Sequence, residues 1–348
     1  MKALLLEGYK QFAFTDVPEP TLDSRSVMVR VKAVGICGSD IHGMDGSTKR
    51  RIPPLIMGHE ASGEIAAVGL DVRGWKVGDR VTFDSTVYCG ECYFCRRGEI
   101  NLCDNRRVLG VSTGEYRQHG AFAEYVTVPE RILYRLPDSL SFVQGAFVEP
   151  VSIAAHALNR TKRTVGDSAV VVGSGMIGLL VIQMLRAVGY GTIIAVDLDA
   201  NKLGLAVELG ADLGLRSDQG GVIEAIREAT GGRGADTAFE VVGITPTLKL
   251  AVESVRKGGQ VTLVGNIAPM AELPLQAVVT RELTLNGCCS SQGEYDACLD
   301  MIARGVVRVE PLLSAIAPLS EGAMWFDRLY NGEKDENGLS LMKVMLQP

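Results

Sequence analysis

The chain has 348 residues, of which 47% are hydrophobic and 22% charged, a composition that excludes a disordered polymer. At roughly 150 residues per domain, this length predicts about two domains. The 35 basic and 41 acidic side chains leave a net charge of −6, and no apolar run reaches about 18 residues, so we expect neither nucleic acid nor a membrane as a partner.

The first half of the chain is predicted to form short β-strands separated by long loops. Apolar and polar residues alternate along residues 27–34, as in a strand with one buried face. Glycine-bounded runs at 63–69 and 79–83 predict two further strands, and the first ten residues resemble another. We therefore predict a mostly β domain over residues 1–150.

The pattern changes near residue 165, where strands and helices begin to alternate. Four apolar, β-branched runs have the composition of strands buried in a parallel sheet. They cover residues 168–172, 192–196, 237–241 and 260–264. Helical patterns follow the first two, at 176–188 and 201–209. This alternation predicts an α/β fold with a doubly wound parallel sheet over residues 151–285.

The remaining tail, residues 286–348, is expected to return to the first domain. One strand-like stretch, at 283–285, lies just before this tail, and another, at 341–346, lies near its end. The sequence therefore predicts a β-rich domain, a doubly wound domain, and a C-terminal segment that rejoins the first.

A glycine-rich turn lies between the first buried run and the helical pattern that follows it. Gly173, Gly175 and Gly178 form G-x-G-x-x-G, which in this context allows a tight turn, a close approach of the backbone to a pyrophosphate, and close packing of helix on strand. Asp197 ends the next run, where a carboxylate accepts hydrogen bonds from ribose hydroxyls and repels a 2′-phosphate. We therefore predict an NAD site, with nearby Lys202 weakening the preference for NAD over NADP. The alternative is a glycine-rich turn beside an unrelated surface aspartate.

Four of the eight cysteines lie within fifteen residues and have metal-ligand spacing. They follow C-x2-C-x2-C-x7-C and are Cys89, Cys92, Cys95 and Cys103. Four thiolates on one loop form a closed tetrahedral zinc shell, which makes the site structural rather than catalytic. An iron–sulfur cluster is disfavoured by the x7 gap and the missing Cys-Pro, and free or disulfide-bonded thiols are the other alternative.

Because no export signal is apparent, we expect a cytoplasmic protein.

A second candidate metal site joins Cys37 to His59 and Glu60, which lie 22 and 23 residues further along the chain. Thiolate, imidazole and carboxylate all bind zinc, but spacing alone favours a buried cysteine and a structural histidine. The surrounding residues change this interpretation. Gly58-His59-Glu60-Ala61-Ser62-Gly63, followed by Gly69 and Val72, matches the signature of zinc-containing alcohol dehydrogenases. The order along the chain is also that of the family: first the Cys37 segment, then the four-cysteine group, then the glycine-rich turn.

The chain thus resembles the zinc-dependent medium-chain dehydrogenases over nearly its full length. The resemblance implies a GroES-like β domain carrying two zinc ions, one catalytic and one structural, and a Rossmann domain binding NAD. Within the family the chain is most similar to the polyol branch, which includes sorbitol (L-iditol) dehydrogenase. By resemblance Cys37, His59 and Glu60 hold the catalytic zinc and Glu149 faces its open position. Whether Glu60 or Glu149 ligates the metal directly stays open.

The resemblance also implies a route for hydride and proton. An open zinc site provides a Lewis acid for a substrate hydroxyl, and hydride passes to the nicotinamide. Ser39 matches the relay hydroxyl of the family and His42 the relay imidazole, a role suited to the pKa of histidine. Ile177 is implied near the pyrophosphate, and Gly265 and Asn266 near the carboxamide.

Two departures from sorbitol dehydrogenases leave the substrate open. An aromatic residue follows the relay histidine in those enzymes, but here the position is Gly43; in the stretch 287–291, a serine replaces their arginine. A polar loop instead offers Tyr116, Arg117 and His119 as candidate contacts for a polyhydroxylated or anionic substrate. A solvated loop is the equal alternative.

The favoured hypothesis is therefore an NAD-dependent zinc dehydrogenase of a polyol or related secondary alcohol. Sugar acids, sugar-alcohol phosphates and L-threonine are alternative substrates within the family. A catalytically silent structural or binding protein of the same fold is the alternative outside enzymes, and the presence of Cys37, His59 and Ser39 disfavours it. The polyol branch further implies a homo-oligomer, a tetramer in preference to a dimer.

Overall fold

The computed structural model describes residues 1–112 and 117–348 and divides the chain into two units. The first unit comprises Met1–Glu149, Ser291–Gly305 and Val309–Pro348. The second comprises Pro150–Ser290 and Val306–Arg308. Most of the C-terminal segment thus belongs to the first unit, while residues 286–290 and 306–308 belong to the second.

Strands and helices are numbered in chain order. The strands are β1 (Lys2–Gly8), β2 (Gln11–Asp16), β3 (Ser26–Gly35), β4 (Leu55–Ile56), β5 (Glu60–Val68), β6 (Arg80–Phe83), β7 (Thr86–Val87), β8 (Arg107–Val108), β9 (Tyr125–Pro129), β10 (Leu133–Arg135), β11 (Ser168–Val172), β12 (Thr192–Asp197), β13 (Leu213–Arg216), β14 (Ala235–Glu240), β15 (Val255–Leu263), β16 (Thr284–Gly287), β17 (Leu313–Pro318) and β18 (Lys343–Gln347). The α-helices are α1 (Gly38–Ile41), α2 (Phe142–Ala146), α3 (Val148–Asn159), α4 (Met176–Ala187), α5 (Ala200–Glu208), α6 (Val222–Ala229), α7 (Thr245–Ser254), α8 (Leu275–Thr280), α9 (Tyr295–Ala303) and α10 (Gly322–Tyr330). Among the helices of the described residues, none is long and apolar enough to cross a bilayer.

The first unit is built around the long strand β3. Its main sheet has the order β10-β6-β5-β3-β18-β17, and β9 also pairs with β3. Val27, Val29 and Val31 of β3 are buried on one face, as their alternation predicts. The last strand, β18, runs antiparallel to β3 and places Met345 opposite Gly35. This pairing returns the end of the chain to its first domain.

The second unit is a six-stranded parallel sheet in the order β13-β12-β11-β14-β15-β16. Its central strand β11 is buried from Ala169 to Val172 and pairs with β12 on one side and β14 on the other. The strand order therefore reverses at the carboxyl end of β11, which is where doubly wound sheets bind ligands. The predicted fold class, a β-rich domain with a doubly wound parallel-sheet domain, is confirmed.

Most of the predicted strands and helices lie within a few residues of those in the structure, and the largest difference is at β15. The pattern predicts this strand over 260–264, whereas it begins at Val255. Lys257, Gly258 and Gly259 interrupt the apolar run, and Gly258 has a φ of +67°. β14 pairs with Val255 and again from Gln260 onward, so the strand spans these residues as an irregularity in the pairing.

Candidate metal centres and nucleotide site

The first candidate metal site lies where β3 ends and β5 begins. These antiparallel strands pair Gly35 with Glu60, so Cys37, two residues beyond the pair, meets His59 and Glu60. The candidate ligand atoms of Cys37, His59 and Glu60 all lie within 4.8 Å of one another. A Cβ on Gly35 would lie 2.3 Å from Glu60 Oε2, so only glycine leaves room for this carboxylate.

Asp40 is a buried carboxylate behind the imidazole that the sequence analysis did not identify. Its Oδ1 lies 3.5 Å from His59 Nδ1 and 2.8 Å from Arg51 Nη2. Burial alone would raise the pKa of the Asp40 carboxyl, but the charges of His59 and Arg51 outweigh burial and hold it well below its ordinary value. A zinc-ligating histidine commonly turns its second ring nitrogen toward such a carboxylate. The signal available in the sequence was an acid in the first turn after Cys37.

A buried lysine from the far end of the chain faces the carboxylate of Glu60. Lys343 Nζ lies 2.5 Å from Glu60 Oε2 and donates to the Ile36 carbonyl at 3.0 Å. Burial would lower the pKa of Lys343, but the negative charge of Glu60 raises it above its ordinary value. Nothing in the local sequence around Lys343 indicates this contact, because it depends on β18 pairing with β3.

Glu149 is buried in the first turn of α3, outside the close group of three. Ser85 Oγ donates to its Oε1 at 3.1 Å. Burial raises the pKa of Glu149 to about 7, and the nearby charges of Glu60 and Asp84 add to this effect while His59 opposes it. Among the described residues, the structure therefore groups Glu60, rather than Glu149, with Cys37 and His59.

The two candidate relay residues are exposed and lie on or beside α1. Ser39 is in its first turn, and its Oγ accepts a hydrogen bond from Arg51 Nη2 at 3.1 Å. His42 caps the C-terminal end of the helix, and its carbonyl accepts from Ser47 Oγ at 2.8 Å. The segment that carries Cys37 thus also presents a hydroxyl and an imidazole to solvent.

The four clustered cysteines form the second candidate metal site. The sulfur atoms of Cys89, Cys92, Cys95 and Cys103 lie within 4.8 Å of one another. Cys89 Sγ is 3.5 Å from Cys103 Sγ and 3.9 Å from Cys95 Sγ. A tetrahedral shell with metal–sulfur bonds of about 2.3 Å places its sulfurs about 3.8 Å apart, so the group fits zinc.

Backbone hydrogen bonds lower the pKa of Cys89 and Cys92, whereas burial raises the pKa of Cys95 and Cys103. Backbone N–H groups of Glu91 and Cys92 lower the pKa of Cys89 to about 6. The eight cysteines all lie within described residues and form no disulfide. This arrangement is consistent with a metal site and not with a disulfide-bonded loop.

Each glycine of the turn between β11 and α4 has a different structural role. Gly173 has a φ of +104°, and a Cβ on it would lie 2.6 Å from Val242 Cγ2. A Cβ on Gly178 would lie 1.9 Å from the Gly173 carbonyl oxygen. By contrast, Gly175 has no heavy atom within 4 Å of that position, and it is the N-cap of α4 without a side-chain cap. The turn therefore leaves open space beside the free N–H groups at the start of α4, which fits a pyrophosphate.

Asp197 lies at the carboxyl end of β12, beside this turn. Its Oδ2 accepts from the Ser174 backbone N–H at 2.6 Å and its Oδ1 from that of Asp199 at 2.9 Å. Ser174 Oγ is buried without a hydrogen-bond partner. Lys202 and Ile177 are half-buried in the first turns of α5 and α4. These candidate cofactor residues therefore lie at or just beyond the carboxyl ends of β11 and β12.

Gly265 and Asn266 follow β15 and lie against the end of β14. A Cβ on Gly265 would lie 2.2 Å from the Gly243 nitrogen, so the two loops are in direct backbone contact. Glu240 is buried, and its Oε1 accepts from the backbone N–H groups of Val242 and Gly243. Glu240 thus ties down this loop, a role that the sequence pattern did not predict.

The candidate substrate residues are only partly described. Tyr116 lies outside the described residues. Arg117 Nη2 donates to the carbonyls of Ile52 and Pro53 at 3.2 and 3.0 Å. His119 Nδ1 accepts from the Ile56 backbone N–H at 3.1 Å, and burial together with the charge of Arg117 lowers its pKa. Both side chains therefore brace the segment 52–56.

Comparison with known proteins matches both units. Residues 23–138 match the family described as alcohol dehydrogenase GroES-like domain, and residues 177–304 match the zinc-binding dehydrogenase family. D-arabitol-phosphate dehydrogenase of Enterococcus avium is 33% identical over 346 residues, covering 98% of this chain and 95% of that protein. Sorbitol dehydrogenase of Bacillus subtilis is 34% identical over 356 residues, covering 100% and 97%.

Solved structures show the same likeness. The crystal structure of a zinc-binding dehydrogenase from Sinorhizobium meliloti, bound to NADP, superposes with a TM-score of 0.90 at 30% identity. The match covers 100% of this chain and 99% of that one. The likeness therefore extends over both units and is not confined to one motif.

Proposed function

The chain belongs to the zinc-binding alcohol dehydrogenase family, and from that premise we propose that it oxidises a polyol to the corresponding ketose with NAD as hydride acceptor. As a member of the family it is a zinc-dependent oxidoreductase acting on CH–OH groups. The observation that carries the proposal is the close grouping of Cys37, His59 and Glu60 beside an exposed hydroxyl and imidazole. A protein with only a structural role has no need of that combination.

The catalytic zinc would be held by Cys37, His59 and Glu60. When bound, the metal supplies a Lewis acid that acidifies a substrate hydroxyl. Asp40 orients His59 from behind, and Lys343 holds one oxygen of Glu60. Glu149, buried and hydrogen-bonded by Ser85, would face the open position and exchange with Glu60 as the third ligand.

The proton of the substrate hydroxyl would leave by Ser39 and His42. Ser39 is two residues from Cys37 and exposed, so its hydroxyl is placed to accept that proton near the metal ligand. His42, one helical turn further and also exposed, would pass it to water at a pH where imidazole exchanges protons readily.

The nicotinamide cofactor would be bound by the second unit. The N-terminus of α4 would take the pyrophosphate beside Gly175 and Ile177, and Gly265 and Asn266 would contact the carboxamide. Asp197 would release the Ser174 N–H and accept the ribose hydroxyls instead. Its negative charge favours NAD over NADP, and Lys202 moderates that preference.

The structural zinc would be held by the four clustered cysteines. Their sulfur–sulfur distances match a tetrahedral shell, and the lowered pKa of Cys89 favours the ligating thiolate. We propose the reducing cytoplasm as the compartment, because thiols such as those of the four-cysteine cluster persist there.

A phosphorylated polyol is the second candidate substrate. The position of Arg117 favours this candidate, because a guanidinium can bind a phosphate. Its Nη2 donates to the carbonyls of Ile52 and Pro53, and Arg117 lies in the same loop as His119. The relatives named above act on sorbitol and on an arabitol phosphate, so both substrate classes occur among similar proteins. Sugar acids and L-threonine remain further members of the test panel.

We propose that the chain assembles with further copies of itself into a homo-oligomer, a tetramer in preference to a dimer. Among the described residues, no strand pairs with the outer edge of β16, the last strand of the parallel sheet. Four exposed apolar side chains lie in the same unit, close to β16 in sequence: Ile267, Met270, Leu275 and Val279. Exposed apolar side chains and an open sheet edge both suit contact with another copy. Light scattering in solution tests this: a monomer contradicts the assembly, and a dimer contradicts the preference for a tetramer.

The direct test of the proposed function is NADH formation by the zinc-loaded protein. The substrates are C4 to C6 polyols, their phosphates, sugar acids, L-threonine and 2,3-butanediol, each with NAD and with NADP. Activity on a polyol that Cys37→Ser abolishes supports the proposal. Activity only on anionic substrates favours the second candidate. No turnover of any alcohol by a protein that holds two zinc ions would contradict the proposal.

A further inference from the structure

Arg51 is a buried cation that contacts both the candidate relay hydroxyl and the carboxylate behind the zinc ligand. Its side chain is 4% exposed. Nη2 donates to Asp40 Oδ1 at 2.8 Å and to Ser39 Oγ at 3.1 Å, and Nε lies 3.3 Å from the same Asp40 oxygen. Two adjacent residues of α1 are thus joined by one guanidinium that comes from outside the helix.

The turn after α1 leaves a space at Gly43 that this arginine fills. A Cβ on Gly43 would lie 2.5 Å from Arg51 Cγ and 2.9 Å from the Ser39 carbonyl oxygen. Any larger residue at position 43 would therefore displace the aliphatic part of Arg51 or the turn that carries Ser39. The missing side chain at Gly43 therefore leaves the space that the contact between Arg51 and Ser39 requires.

The chemistry of the guanidinium sets the direction of the Ser39 hydrogen bonds. Arginine only donates, whereas a hydroxyl has one hydrogen to donate and two lone pairs that accept. Because Arg51 occupies one lone pair of Ser39 Oγ, the other lone pair remains to receive a proton. The single O–H of Ser39 is then free to pass a proton outward. This orientation lets the hydroxyl receive a proton on one side and pass its own proton on from the other.

We propose that Arg51 is a positioning residue for proton release, acting through Ser39. This inference rests on the proposed function, in which Ser39 accepts the proton of the substrate hydroxyl. Asp40 also lies near His59 and accepts from the Cys37 backbone N–H at 3.3 Å. Arg51 is therefore also linked, through Asp40, to the proposed zinc ligand His59. The experiment has to distinguish an effect through Ser39 from an effect through His59.

A double-mutant cycle separates them. Ser39→Ala, Arg51→Gln and the double variant are compared with the wild type, and Arg50→Gln provides an exposed neighbour with the same change of charge. Zinc content, kcat, KM and the solvent deuterium isotope effect on alcohol oxidation are measured for each. We expect Arg51→Gln to keep two zinc ions, to lower kcat about tenfold as a misplaced relay group does, and to raise the solvent isotope effect.

The coupling between the two positions decides the outcome. If Arg51 acts through Ser39, Arg51→Gln lowers kcat less than about twofold in the Ser39→Ala background. An equal loss in both backgrounds, an unchanged isotope effect, or loss of a zinc ion overturns the proposal. A wild type that turns over no alcohol overturns the proposed function and this inference with it.

Arg51→Lys keeps the test decisive if the glutamine variant does not fold. Lysine retains a cation for buried Asp40 but lacks the planar fork that reaches two partners at once. We expect this variant to fold with both zinc ions while kcat stays lowered and the solvent isotope effect stays raised. A lysine variant that matches wild type in both values contradicts a positioning role for the guanidinium.

Discussion

Lys343 and Glu60 form a buried ion pair with Nζ 2.5 Å from Oε2, although 283 residues separate them in the chain. The two side chains are 3% and 1% exposed. Because Glu60 is also one of three proposed metal ligands, its carboxylate faces a lysine on one side and the metal position on the other. The end of the chain thereby takes part in the candidate metal site.

Lys343→Met is expected to destabilise the protein more strongly without the catalytic zinc than with it. Removing the lysine leaves the Glu60 carboxylate buried without a counter-charge, which costs about 3 kcal/mol of unfolding free energy. Bound zinc would neutralise the same carboxylate and reduce that loss. Urea unfolding with and without the catalytic zinc measures the difference. Exposed Lys334→Met serves as the control, and an equal loss in both metal states would contradict this account.

Cys103→Ser is expected to reduce bound zinc from two ions to one per chain. Four thiolates close the proposed structural shell, and loss of one opens it and frees the loop between Cys89 and Cys103. Metal analysis and the melting temperature measure the effect, with a fall of several degrees expected. Cys289→Ser, an exposed cysteine outside the cluster, should leave both values unchanged. Retention of two tightly bound zinc ions by Cys103→Ser would exclude the proposed shell.

Asp197→Ala is expected to lower kcat/KM with NAD and to raise kcat/KM with NADP relative to that with NAD. The loss of charged hydrogen bonds to the ribose lowers kcat/KM for NAD about ten- to a hundredfold, and the repulsion of a 2′-phosphate disappears as well. Initial rates with each cofactor give the ratio. Asp199→Ala is the neighbouring control, because this carboxylate caps α5 through the Asn201 N–H. An unchanged cofactor ratio in Asp197→Ala would exclude the proposed ribose contact.

Glu149→Gln is expected to change how stability depends on pH when the catalytic zinc has been removed. The folded pKa of Glu149 is raised from 4.5 to about 7 by burial, so its contribution is fully present below pH 4.5 and is lost as pH rises to about 7. Over this window the loss is about 3 kcal/mol. The variant should match wild type near pH 4.5 and exceed its unfolding free energy at pH 8.

Urea unfolding from pH 4.5 to 8 checks this difference. Asp84, with its pKa raised to about 6 by burial, changes stability in the same direction in both proteins, so only the difference between them reports Glu149. Exposed Glu7→Gln should follow the wild-type curve. A constant difference across the pH range would show that Glu149 is ionised when folded.

The sequence by itself determined the features that depend on neighbouring residues. The spacing of Cys89, Cys92, Cys95 and Cys103 brings four sulfurs together on one loop, whatever the rest of the fold does. The glycine-rich turn between β11 and α4 is likewise local, since its strand, turn and helix are consecutive. Hydrophobic periodicity predicted most of the strands and the doubly wound fold, because each buried run is continuous in the chain.

Only the tertiary structure decided which side chains surround the first metal site. The pairing of β3 with β5 joins Cys37 to Glu60, and the pairing of β3 with β18 brings Lys343 to the same carboxylate. Arg51 reaches Ser39 only because Gly43 leaves room for it. These contacts depend on strand register and on space between distant segments, which composition and periodicity do not encode, because any lysine or arginine of the chain satisfies the same local pattern.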